Sequence, residues 1–177
     1  MVRLLIVLPL VILGACSLTP ARDEASPFYV PPAGSRLILN QTLTIPPENV
    51  GVFIQGGRAV GNREVDQYLP HCRLEVRDRH ETAQTVNPDE FRVERVRRDV
   101  QVVSNTRTGP LVQVGHGPSF FIYRTLLDLS SAQQPQVRTL VCQHWGHPAL
   151  DDHLSIRNMR QALGEVMSLE LPATDGR

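Results

Sequence analysis

Residues 120–145 read FFIYRTLLDLSSAQQPQVRTLVCQHW. Two runs rich in aromatic, β-branched and leucine side chains, 120–131 and 136–145, flank the short connection Ala132-Gln133-Gln134-Pro135. Apolar runs of that length, bounded by turn residues, predict two strands, and a four-residue connection suits a hairpin. The same signature recurs outward in both directions. RLILNQTLTI (36–45) alternates in part and stops at Pro46-Pro47, and VGVFIQ (50–55) ends at the turn pair Gly56-Gly57. In CRLEVRD (72–78), Cys72, Leu74 and Val76 fall on one face and Arg73, Glu75 and Arg77 on the other. FRVERVRRDVQVV (91–103) is long enough for two strands, or for one with a bulge.

One segment has helical rather than strand period. In SIRNMRQALG, Ser155 is placed to cap, Ile156, Met159 and Leu163 line one face, and Gly164 suits the position after the last turn. Asn158 stands where a full capping box would have Glu or Gln, so the start signal is incomplete. EVMSLEL (165–171) returns to alternation. Many short strands and one short C-terminal helix, about 155–163, predict a mainly β fold: a small sandwich or an open barrel.

The chain begins MVRLLIVLPLVILGACSLTPARDEAS. Arg3 precedes ten apolar residues and the small pair Gly14-Ala15, which is the order of a secretory signal. Ten residues of helix rise about 15 Å, roughly half a bilayer core, so the run is too short to span. Leu13-Gly14-Ala15-Cys16 resembles the lipobox of bacterial lipoproteins. The resemblance covers about sixteen residues. It implies removal of residues 1–15, acyl chains on the Cys16 sulfur and amine, and attachment to a membrane through that anchor. With about 0.8 kcal/mol per buried methylene, two or three acyl chains hold a protein on a membrane. In that family Asp after the lipidated Cys tends to retain the protein at the inner membrane. Ser17 occupies that position here, which implies the periplasmic side of the outer membrane. Residues 16–33, rich in Pro, Ser and Ala, then read as the lipidated Cys and a flexible tether, and 34–177 as a single β-rich domain.

An exported chain folds in an oxidising compartment, where the two remaining cysteines, Cys72 and Cys142, are expected to form a disulfide. Each points inward from its predicted strand, so the two can meet across a core. The charge balance, 18 basic against 18 acidic side chains, offers no global field for nucleic acid. Every basic side chain is Arg; the chain has no Lys.

Three groups of side chains are candidates for chemistry. Cys142, His144, His147 and His153 offer donors for zinc or copper, but their spacing fits no standard template, and a disulfide would remove Cys142. The metal alternative thus rests on His144, His147 and His153. Asp151, His153 and Ser155 could be drawn as a triad, yet nearness in sequence is not triad geometry, and no GxSxG elbow is present. Arg92, Arg95, Arg97 and Arg98 alternate with Glu94 and Asp99. Here Arg92, Glu94 and Arg98 are expected to share a face with Val96, and Arg95 and Arg97 one with Phe91 and Val93. Charge on both faces suggests an edge strand or, alternatively, an anion-binding strip. The expected function is therefore binding: an accessory domain engaging an envelope protein or polymer, with no catalytic residues and no cofactor assigned.

Overall fold

The computed structural model describes residues 22–103 and 120–173. The lipobox and Cys16 lie outside the described residues. Among the described residues, ten strands and one helix follow in chain order. They are β1 (Arg36–Leu39), β2 (Leu43–Ile45), β3 (Gly51–Gln55), β4 (Arg58–Val60), β5 (His71–Val76), β6 (Gln84–Val86), β7 (Asp89–Val103), β8 (Phe120–Ser130), β9 (Val137–Gly146), α1 (Ile156–Leu163) and β10 (Met167–Glu170). Eight strands form one curled antiparallel sheet in the order β10-β1-β7-β8-β9-β5-β3-β4, and β2 pairs with β6 in a small second sheet. The fold is an open half-barrel with one helix, as the strand signals predicted. No described helix is long and apolar enough to cross a membrane.

The 120–145 stretch forms the hairpin β8–β9, with Leu127 opposite Leu140 and Thr125 opposite Cys142. Gly56 and Gly57, both with positive φ (57° and 74°), make the two-residue β3–β4 turn. A turn with two left-handed residues matches the twist of its flanking strands, and glycine adopts it without a Cβ clash. Helix α1 packs its face Ile156, Met159, Ala162 and Leu163 against β3, β5 and β10. These join Leu37, Phe91, Leu74, Leu127 and Leu140 in one buried cluster. Asn158 completes the capping box after all. Its backbone N–H donates to Ser155 Oγ at 3.2 Å, and its Oδ1 accepts from the Ser155 N–H at 3.4 Å. The amide oxygen supplies the acceptor that a carboxylate normally would.

Cys72 and Cys142 are bonded, but not across a core between layers. They sit directly opposite one another on the adjacent strands β5 and β9, with Cα atoms 4.0 Å apart. Both are fully buried and join 70 residues of separation at the centre of the sheet.

Strand β7 is a single strand with a bulge. Its pairing with β8 shifts between Val93 and Arg95, so Glu94 and Arg95 both face outward. An extra residue inverts the alternation beyond it. Arg98 therefore lies with Val96 on the same inner face as Phe91 and Val93, while Arg95 and Arg97 join Arg92 outside. This corrects the faces read from strict alternation. The strand is not an edge throughout: β1 covers Asp89–Arg92, and Val93 exchanges bonds with Gly34 and Ser35 at 2.8 and 2.9 Å. From Arg95 onward its one paired strand is β8.

Residues 23–33, assigned above to a tether, lie against the domain. Glu24 O accepts from the Arg157 N–H at 3.0 Å, and its carboxylate pairs with Arg160. Pro27 O accepts from Arg98, Tyr29 packs on the core, and Pro31 is buried.

Candidate functional site

The curl of the sheet brings β7, β8 and β9 together at one end of the half-barrel. Register puts Arg98 opposite Thr125, Val100 opposite Tyr123, and Tyr123 opposite His144, all on the inner face. Above them the chain leaves β9 at Gly146 and turns through 147–154 into α1. Asp151 Oδ2 accepts from the His147 N–H at 2.6 Å, and the Leu150 and Asp151 N–H groups donate to His147 O at 3.1 and 3.0 Å. Gly146 is required there, because a Cβ would meet that of Asp151 at 2.5 Å. The result is an open cleft of about 400 Å³ between this loop, Pro27 and Pro70. His144, Asp152, His153 and Leu154 line it, and Leu150, 83% exposed, stands at its mouth.

Tyr123 organises the floor. His144 stacks on its ring at 5.7 Å between centroids and His153 meets it edge-on at 5.5 Å. The His153 ring is further held between Asp152 Oδ1 (3.3 Å) and the backbone oxygen of Asp99 (3.2 Å). Burial first, then the Asp152 and Asp151 charges, push the Tyr123 hydroxyl above its usual range. Burial also holds His144 below the usual imidazole range, against the opposing pull of Asp151; His71 and His153 add to the lowering and Asp152 opposes it. Asp152 is held low, chiefly by the His153 N–H that donates to it at 2.7 Å. Arg98 is lowered by burial, with Asp152 the charge that opposes the shift. Its Nη1 donates to Pro27 O at 2.6 Å, whereas Nε and Nη2 are buried without a partner among the described residues. Thr125 Oγ1 and His144 Nδ1 are orphaned in the same way.

The candidates from sequence are thus distributed. His144 and His153 share the cleft, but His147 is exposed and its Nδ1 accepts from the Ala149 N–H at 3.2 Å within the turn. Among the described residues no three His, Cys, Asp or Glu side chains are grouped to hold a metal ion, and Cys142 is in the disulfide. The triad is not assembled. Ser155 Oγ is the helix cap and bonds Asn158 Oδ1 at 2.6 Å, while His153 bonds Asp152 and Asp99. The arginine strip is largely neutralised. Arg95 Nε and Arg97 Nη2 both grip Asp128, at 2.9 and 2.8 Å, and Arg124 lies 3.4 Å from Asp99. Burial works against the Asp128 charge, but the bonds from Arg97 and Arg95 outweigh it and hold its carboxyl low.

Tyr123 and Thr125 were not singled out from the sequence as site residues, and Arg98 was named only as part of the candidate anion-binding strip. Thr125 had a signal: on the alternation Phe121, Tyr123, Thr125, Leu127, Leu129 it is a hydroxyl at an otherwise apolar, inward position. Nothing in the sequence turned Arg98 inward, since the bulge that does so is not visible in the residue types. His71, fully buried on β5, was also passed over. Its Nδ1 lies 2.9 Å from Leu69 O and its Nε2 3.2 Å from the Gln143 amide. No protein-family model matches the chain, and no curated protein or solved structure matches it.

Proposed function

We propose that this chain is a lipoprotein of the bacterial outer membrane, anchored at Cys16, whose half-barrel is a periplasmic binding module with its ligand in the cleft beneath residues 147–154. The observation that carries the binding reading is the cleft itself. It combines an apolar mouth, Leu150 and Pro70, with a floor of partly buried polar groups, as small-ligand sites do. Binding is preferred to catalysis because the side chains that could act as nucleophile and base are engaged in shaping the loop and capping the helix. The anchor reading rests on the lipobox resemblance alone.

Two measurements test the proposal. The intact mass of membrane-extracted protein should correspond to a chain starting at Cys16 plus acyl mass; an unmodified or unprocessed chain overturns the anchor. A photo-crosslinker placed at Leu150 in cells should give a discrete product that the same group at the exposed Arg58 does not. Identical products from both positions would remove the cleft as the binding site.

A further inference from the structure

The orphaned polar atoms of Arg98, Thr125 and His144, at and next to the cleft, are a patterned set. Buried polar groups are nearly always bonded, so each exception calls for a partner. Arg98 Nη1 is committed to Pro27 O. The two atoms left over, Nε and Nη2, are the pair whose N–H bonds run parallel along one side of the guanidinium. That side is the fork that receives both oxygens of a carboxylate at once. Thr125, directly opposite on β8 and 0% exposed, presents an orphaned hydroxyl on the same face. His144 adds an orphaned ring nitrogen from β9. Asp152 is the nearby carboxylate that influences Arg98, but it does not fill the fork; its Oδ1 accepts from His153 instead. Pro27, which Arg98 bonds, and Asp152, whose charge acts on Arg98, both line the cleft; Arg98 and Thr125 do not, so a ligand has to displace cleft residues to reach the fork.

We propose that the cleft takes a carboxylate-bearing ligand, its head group on Arg98 Nε and Nη2 with Thr125 Oγ1 as a further donor, and its apolar body along Pro70, Leu150 and Leu154. The inference rests on the cleft being the ligand site and adds the chemical class. A carboxylate with an apolar body occurs in fatty acyl chains and at the C-terminus of a polypeptide, and both present the same head group.

The test uses the full-length chain in a non-ionic detergent and calorimetric titration with three probes: hexanoate, N-acetyl-trileucine as the free acid, and the same peptide as its amide. At least one acid should bind saturably and the amide should not. Hexanoate alone would identify an acyl-chain carboxylate; the peptide acid alone, or well above hexanoate, would identify a chain terminus. Arg98→Met should abolish acid binding. Because that variant removes a buried contact to Pro27 and can misfold, Thr125→Val provides the second arm. It should weaken acid binding roughly fivefold, the size of one hydrogen bond, yet leave the melting temperature of the free protein unchanged or higher. No saturable binding by either acid, equal binding of acid and amide, or unchanged affinity in folded Thr125→Val overturns the proposal. The Leu150 crosslink then reports separately whether the cleft is a binding site at all.

Discussion

At the residue scale, several side chains are held in states they would leave on unfolding. His71 and His144 are both lowered by burial. A histidine lowered in the folded state binds its proton more readily when unfolded, so its neutral burial stabilises fully above the unfolded value near 6.5 and progressively less as pH falls below it. The melting temperature should therefore drop between pH 7.5 and 5. His71→Gln, which keeps an amide beside Leu69 O and Gln143, should flatten that slope; a slope unchanged in this variant would assign it elsewhere. Asp128 and Asp152, both depressed, act in a separate window. Their contribution is present above the ordinary carboxylate value, 3.8, and is lost below it. Gly164 is the other sensitive residue. With φ of 51° it ends α1, and a Cβ there would lie 2.4 Å from the Gly57 Cα. Gly164→Ala should cost well over ~1 kcal/mol, because at φ 51° and ψ −130° the backbone is one that only glycine adopts readily, and two backbones must also separate. Ser155→Ala should cost about 1 kcal/mol, the usual value of a lost N-cap. Urea titration of the two variants reads both.

At the scale of elements, β7 shows how one residue redirects a surface. Glu94 is the extra residue of the bulge. Its deletion would remove the bulge and leave strict alternation, with Val96 and Arg98 still inward and Arg95 and Arg97 still outward. We expect the deletion to fold with the pairing of β7 on β8 kept, and Glu94→Ala, which keeps the bulge, should change stability by less than about 1 kcal/mol, as at other exposed ion pairs. Retention of the tertiary circular dichroism signal in both would be the result; its loss in the deletion alone would show that the bulge itself is needed. The pairing of β5 with β9 carries the disulfide. Replacing both Cys72 and Cys142 by Ala should lower stability by about 4 kcal/mol on the chain-entropy account of a loop of this length, measured by urea unfolding without reductant. A loss under about 1 kcal/mol would mean that neighbouring pairs, Leu74 with Leu140 among them, hold the register without the bond.

At the scale of the whole molecule, anchor and domain are separable claims. If Cys16 is the anchor, Cys16→Ser should move the protein out of the membrane fraction. The melting temperature should stay the same, since every core contact described lies within residues 22–173. A variant that stays on the membrane would sink the lipoprotein reading. Much of the fold was legible from the chain because the signals are local. Strand alternation, the Gly56-Gly57 turn, the Ser155 cap and the inward cysteines each depend on residues no more than a few positions apart. The cleft was less legible. His144 and His153 were candidates, but as metal ligands rather than as rings around Tyr123. Arg98 was a candidate for an anion-binding strip, but its inward position escaped because its face depends on the bulge.

What short-range chemistry determined is thus the inventory: mainly β, one capped helix, two cysteines facing inward, and an N-terminus that resembles a lipobox. What only the tertiary structure decided is adjacency. It placed β1 between β10 and β7, Cys72 beside Cys142 on neighbouring strands, Glu24 on Arg160, and Arg98 opposite Thr125 and within reach of the Asp152 charge. The physical reason is range. Turn and cap bonds close within one turn of chain, whereas strand order and side-chain convergence are chosen by burial and pairing summed over the whole sheet, which no short window of residues contains.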